Sequence, residues 1–206
     1  MWKNFFLTTI RNIFKNKTNS FINVIGLSIG IASAFLIFLF IVNELGYDKY
    51  HEKSDRIYRL YIKGQMEGAN LLSAYTSIPA GPTFEEEIPE VTEFVRLRQT
   101  EQRVIKIDDN KFVEDHFVYA DSGIFDIFSV NLIKGNPETA LSEPKTVVLT
   151  KTIAEKYFGK EDPVNQMIAV NSDTNIYRVT GVIEDLPPQT HMEFDLLGSF
   201  NSLEDS

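Results

Sequence analysis

Residues 21–42 form an unbroken run of 22 residues without a charge, and no other feature of the chain restricts its fold so tightly. Within it only Asn23, Ser28 and Ser33 are clearly polar. As a helix the run is about 33 Å long, close to the roughly 30 Å hydrocarbon core of a bilayer. A buried helix of that length in a soluble protein normally carries a polar stripe, which is missing here. A cleaved export signal has a shorter apolar stretch and ends in a small-x-small site, and none follows before Glu44. The sequence therefore predicts an uncleaved transmembrane helix over 20–43.

Charge orients that helix. Residues 1–43 contain no Asp or Glu, and Lys3, Arg11, Lys15 and Lys17 all precede the span. The remainder holds 16 Lys and Arg against 29 Asp and Glu, a net of −13. By the positive-inside rule the N-terminus is expected in the cytoplasm and residues 44–206 outside it. An acidic outer body also argues against nucleic acid, which needs a basic footprint. Trp2, Phe5, Phe6, Ile10, Ile13 and Phe14 recur at helical spacing among the cations. This predicts an amphipathic helix over 1–19 lying on the cytoplasmic lipid surface, with residues 16–19 as a turn before the span. Gly26, Gly30, Ser33 and Ala34 fall on nearly one face of the span, where small side chains let a second membrane helix approach closely.

The outer part predicts an α+β domain. Short β-branched and aromatic runs occupy 56–63, 93–98, 103–107, 111–113, 117–120, 146–149, 167–170 and 177–183. Asp108, Asp109 and Asn110 separate two of them as a hairpin turn. Helical stretches are fewer: 82–88, 122–128 and 150–158, the last with Thr150 as N-cap and Gly159 as stop. Strands and helices do not alternate regularly, so a doubly wound sheet is not expected.

Catalytic chemistry is hard to find. The chain has no cysteine, which excludes disulfides, thiolate metal sites and cysteine nucleophiles. His51, His116 and His191 are dispersed. His51 and Asp55 are four apart and share a face if helical, yet no third metal ligand is evident, and both read as polar surface. Glu85, Glu86 and Glu87 read as a solvated helix face. No glycine-rich phosphate loop or nucleophile–base pair occurs. No catalytic residue, metal or cofactor is expected.

Several segments carry a resemblance. Residues 16–60, which run through NELGYDKYHEKSDRIYRL, then PAGPTFEEEIPEV at 79–91, then 119–168 from YADSGIFDIF to AEKYFGKEDPVNQMI, then YRVTGVIEDLPPQTHMEFDLLGSF at 177–200, occur in an order similar to the N-terminal part of FtsX-like, MacB-type ABC transporter permeases. The resemblance implies a first transmembrane helix followed by a mixed α/β periplasmic core domain, in the bacterial inner membrane. It implies a non-catalytic subunit coupled to a cytoplasmic ABC ATPase, to further permease helices or a second permease copy, and to a periplasmic adaptor and outer-membrane channel. Such permeases return to the membrane for more helices, and nothing after Val42 is apolar enough to span. The chain is therefore expected to be a fragment, a truncated gene product or one piece of a split permease, with the core domain over 44–206 incomplete. Asn43, Glu44, Tyr47, Asp48, Tyr50, His51 and Asp55 mark the junction of helix and domain, with the first strand expected from about Arg56. The rival reading is a membrane-tethered periplasmic binding or sensor module, which would share one span and an acidic domain.

Overall fold

In the computed structural model the apolar run is one helix, α1 (Lys17–Glu44). The model describes residues 14–66 and 69–203, together with Trp2, Leu7 and Arg11. The interfacial helix expected over 1–19 thus falls mostly outside the described residues. Lys17, Thr18 and Asn19, read from sequence as a turn, belong to α1, and the bend is confined to Asn16. The cost of three ordinary residues in helical form is small beside the cooperative extension of a long apolar helix. None of α1 is buried within the chain, and its mean hydropathy over the span is 2.6, so length and composition suffice to cross a membrane. Two units result, Met1–Tyr47 and Asp48–Ser206.

The second unit is built on a nine-stranded mixed sheet, with β3 (Leu97–Gln99), β4 (Arg103–Ile107), β5 (Asn110–Glu114), β6 (Phe117–Ala120), β7 (Leu132–Lys134), β8 (Thr146–Thr150), β9 (Met167–Val170), β10 (Ile176–Ile183) and β11 (Leu196–Ser199). The order is β3-β6-β11-β8-β10-β9-β4-β5, and β7 adds to β10. The pairs β8–β10 and β6–β11 are parallel, the rest antiparallel. Three short helices accompany it: α2 (Ala80–Glu87), α3 (Ile124–Ile127) and α4 (Lys151–Phe158). Thr150 caps α4, its hydroxyl accepting the Ile153 N–H. Gly159, at φ +61, takes the left-handed turn that ends it.

The central strands are apolar on both faces because both faces are covered. Phe117 and Tyr119, Val147 and Leu149, and Leu196 enter one core with Ile153 and Tyr177. Their neighbours Val118 and Ala120, Val148, and Leu197 enter the other, with Ile124, Leu141 and Ile183. Alternation thus divides each strand between two cores, and continuous apolar runs are the sequence form of a doubly covered strand.

Two expected strands are displaced. The run at 93–98 becomes strand only at its end, in β3, because the ladder with β6 begins at Leu97. Residues 54–56 form a 3₁₀ turn and 57–61 belong to no strand; the strand is β1 (Ile62–Met66), paired only with β2 (Ala69–Ser73) in a separate hairpin. The run at 56–63 has strand-like composition, but its β-propensity marks an extended backbone rather than a partner.

Candidate functional site

The resemblance pointed to the helix–domain junction, and just beyond it the second unit makes a dense set of polar contacts. Residues 48–53, the first of that unit, form a strap of turns laid across two distant loops.

Asp48 is the centre of the first anchor. Its backbone N–H donates to the Gln189 carbonyl at 3.1 Å. Its carboxylate accepts the Thr190 hydroxyl at 3.1 Å, the His191 backbone N–H at 3.0 Å and the His191 ring Nδ1–H at 2.7 Å. The Tyr50 hydroxyl donates to the same Thr190 oxygen at 3.2 Å, and the Met192 N–H does so at 3.1 Å. Asp48 holds φ +55, a left-handed conformation that Asp tolerates better than most residues. Burial raises its carboxyl, but the bonds from His191 and Thr190 outweigh burial and leave it below the ordinary carboxylate value. Burial acts in the same sense on the Tyr50 phenol, which lies above its ordinary value.

The second anchor is His51. The ring is 4% exposed, so the surface reading from sequence is corrected: the segment folds back onto the body instead of continuing as a helix. Its Nδ1 accepts the Ser129 N–H at 3.2 Å, and its face meets the edge of Phe128 at 5.0 Å. The Ser129 hydroxyl accepts the Glu52 N–H at 2.9 Å, and Lys53 Nζ donates to the Asp126 carbonyl. Asp55 takes no part; it lies exposed in the 3₁₀ turn, and no helix brings it beside His51. Asn43 and Glu44 close the last turn of α1, and Tyr47 donates its N–H to the Glu44 carbonyl in the turn that follows. Gly26, Gly30, Ser33 and Ala34 lie along α1, all exposed.

Sequence reasoning missed Ser129, Thr190 and His191 as members of the site. They lie 77 to 143 residues from their partners, and no local periodicity links such positions.

Among the described residues two surface hollows stand out, the larger bordering the first anchor through Thr190 and Met192. One of about 380 Å³ is lined by His116, Thr150, Thr152, Asp185, Asp195 and the Pro187–Pro188 turn. Its hydroxyls serve the fold, Thr150 capping α4 and Thr152 donating to Asp185 at 2.9 Å. Burial raises Asp195 above the ordinary carboxylate range, against the pull of His116 at 3.7 Å. The other, about 250 Å³, is lined by Glu85, Glu93 and Asp121. Among the described residues no group of three or more His, Cys, Asp or Glu is placed to hold a metal.

Residues 20–206 match the family model of the MacB-like periplasmic core domain. Among solved structures, a domain of a Porphyromonas gingivalis protein described as a permease is 26% identical, with a TM-score of 0.58 over 65% of this chain and 56% of that one. The periplasmic region of MacB from Actinobacillus actinomycetemcomitans is 14% identical, with a TM-score of 0.45 over 61% and 56%. The extracellular domain of the noncanonic ABC-type transporter YknZ from Gram-positive bacteria is 19% identical, with a TM-score of 0.42 over 54% and 57%. The chain therefore spans little more than half of the solved domains it resembles. No curated protein matches. A long apolar N-terminal helix, a mixed α/β sheet and a match over nearly the whole length agree: the chain belongs to the family of MacB-like periplasmic core domains.

Proposed function

We propose that this chain is the N-terminal, non-catalytic part of an ABC transporter permease, and that it carries the effect of ATP hydrolysis by a cytoplasmic partner ATPase to a domain outside the membrane. The observation that carries this reading is the strap. Residues 48–53 follow the membrane helix by three residues and are held at both ends, by the Asp48 anchor and by the His51 anchor. A chain segment that only tethers a domain needs no such fastening, because a flexible linker keeps it close equally well. A segment that transmits movement gains from being stiff, since packed side chains, hydrogen-bond networks and rigid elements carry coupling between sites.

The remaining assignments follow from family membership and charge. The N-terminus is cytoplasmic, the four cations before the span facing anionic lipid, and residues 44–206 lie outside. The face of Gly26, Gly30, Ser33 and Ala34 receives another helix of the permease or of a second copy. A periplasmic adaptor and an outer-membrane channel complete the export path.

The test is insertion of a flexible Gly-Ser linker after Gly46, which leaves the strap and its anchors untouched. Supplied with the ATPase and the rest of the permease, the variant is expected to insert and melt like the unmodified chain yet to support no export. Export at the unmodified rate would reduce the helix to an anchor and favour the membrane-tethered binding or sensor module.

A further inference from the structure

His51 differs from the other strap residues in how its ring is used. It is buried against Tyr50, with centroids 3.9 Å apart, and against the edge of Phe128. Because Nδ1 accepts the Ser129 N–H, the ring is the neutral tautomer with its proton on Nε2. Nε2 is itself buried and makes no hydrogen bond to the described residues. Such a ring holds one proton well and a second badly. A proton added at Nδ1 turns the acceptor into a donor facing another N–H, and leaves a buried imidazolium with an acceptor at neither nitrogen.

The surrounding charges do not reverse this. On the strap itself, Asp48 favours the cation, Lys49 and Glu52 are exposed, Lys53 is engaged by the Asp126 carbonyl, and the Tyr50 hydroxyl is committed to Thr190. From the facing loop come Phe128 and Ser129, both uncharged, with Asp126 exposed beyond them and Glu93 interacting with Asp126 and Lys53. Beyond Asp48 stands His191, whose ring is already committed to that carboxylate. Burial prevails over Asp48 and holds His51 below its ordinary value of 6.5.

We propose that His51 is a proton-operated catch: in acidic surroundings its ring takes a proton at Nδ1, gives up the Ser129 N–H, and lets residues 51–53 lift from the body while the Asp48 anchor holds. This rests on the strap being the coupling element and adds its regulation, since an acid exterior would slacken the link. The sign follows from linkage. The ring is harder to protonate when seated than when free, so seating is fully favoured above 6.5 and is lost as pH falls below it, by up to about tenfold per pH unit until the seated ring itself titrates. The Asp48 contribution, by contrast, is present above 3.8 and is lost only as pH falls through the lowered value of that carboxyl. The catch therefore opens before the anchor fails.

The chain has no cysteine, so a spin-label pair at Glu52→Cys and Lys160→Cys, both exposed, reports strap-to-body distance in the full chain reconstituted in lipid nanodiscs. At about pH 7.5 a single narrow distribution is expected, joined at about pH 5 by a broader, displaced population. His51→Asn offers the Ser129 N–H an acceptor that does not titrate and should stay narrow at both values. His51→Phe offers none and should be displaced at both. An unmodified chain with the same distribution at both values, or an Asn variant that responds to acid as the unmodified chain does, would overturn the catch. Because the readout is a distance and not export, the two claims separate. A strap that loosens without changing export defeats the coupling reading alone, and a strap that stays seated in acid defeats the catch alone.

Discussion

Replacing Asp48 by alanine removes the acceptor at the middle of the first anchor, and the cost can be worked from the contacts. Three hydrogen bonds end on the carboxylate, from Thr190 Oγ1 and from the backbone and ring of His191. Bonds to an ionised acceptor are worth about 1.5–3 kcal/mol each when shielded from water. The Asp48 side chain is 39% exposed, so water recovers much of what is lost, and about 1–2 kcal/mol for the three together is the screened figure. The backbone adds to this. At φ +55 an alanine costs about 1 kcal/mol. The total of about 2–3 kcal/mol corresponds to a melting midpoint lower by about 4–12 °C for a domain of this size. Asp48→Asn keeps the backbone preference and one acceptor, and should lose only about 1 kcal/mol. Thermal melts of the full chain in detergent, followed by circular dichroism near neutral pH, measure both. The carboxyl is held below its ordinary value, so its contribution is present above 3.8 and disappears as pH falls through the lowered value. The gap between unmodified chain and Ala variant should therefore narrow in strong acid to the backbone share. An Ala variant that melts within about 1 °C of the unmodified chain at neutral pH would refute the anchor.

Glu114 is buried and held by Lys156 Nζ at 2.6 Å and the Tyr157 hydroxyl at 2.9 Å, so Lys156→Met should lower stability to denaturant by about 1–3 kcal/mol. Adding Glu114→Leu should recover most of that loss, and a single variant as stable as the unmodified chain would remove the pair from the account. Gly30 is exposed on α1 and a Cβ there meets nothing, so Gly30→Leu should insert and melt normally. Its predicted defect is in export with the assembled permease, and full export would show the small-residue face to be unused. Protease added to the outer face of the inner membrane should digest the region 44–206, whereas protection there would reverse the orientation.

The parts of the fold that were legible in the sequence share a physical cause. β6 and β8 are apolar on both faces because two cores cover them, and continuous β-branched or aromatic runs announce that condition directly. α4 was legible from its ends, where Thr150 caps the first turn and Gly159 takes a positive φ. β2, β7 and β11 were not: ANLLS, LIK and LLGS are short and leucine-bearing, and they become strands only through the partners that β1, β10, β6 and β8 supply. The same limit governs the site. Asp48, Tyr50 and His51 stood out because the chain must change there from lipid to water. The residues that receive them lie on loops around 126–129 and 189–192, brought near only by the completed sheet. His51 was misjudged for this reason, since a histidine among Lys, Glu and Asp looks solvated until the loop carrying Phe128 and Ser129 is closed over it.

The central claim is that the strap carries movement from the membrane to the outer domain. Its most direct test is a distance measured in the assembled transporter, between a spin label at Lys160→Cys and one on the partner ATPase, with and without bound ATP. In the unmodified chain the distribution is expected to shift when ATP binds. With a Gly-Ser insertion after Gly46 the ATPase should still bind ATP while the outer label keeps its nucleotide-free distribution. A shift of equal size in the insertion variant would contradict the claim, because the outer domain would then be moving without a rigid connection through its first helix.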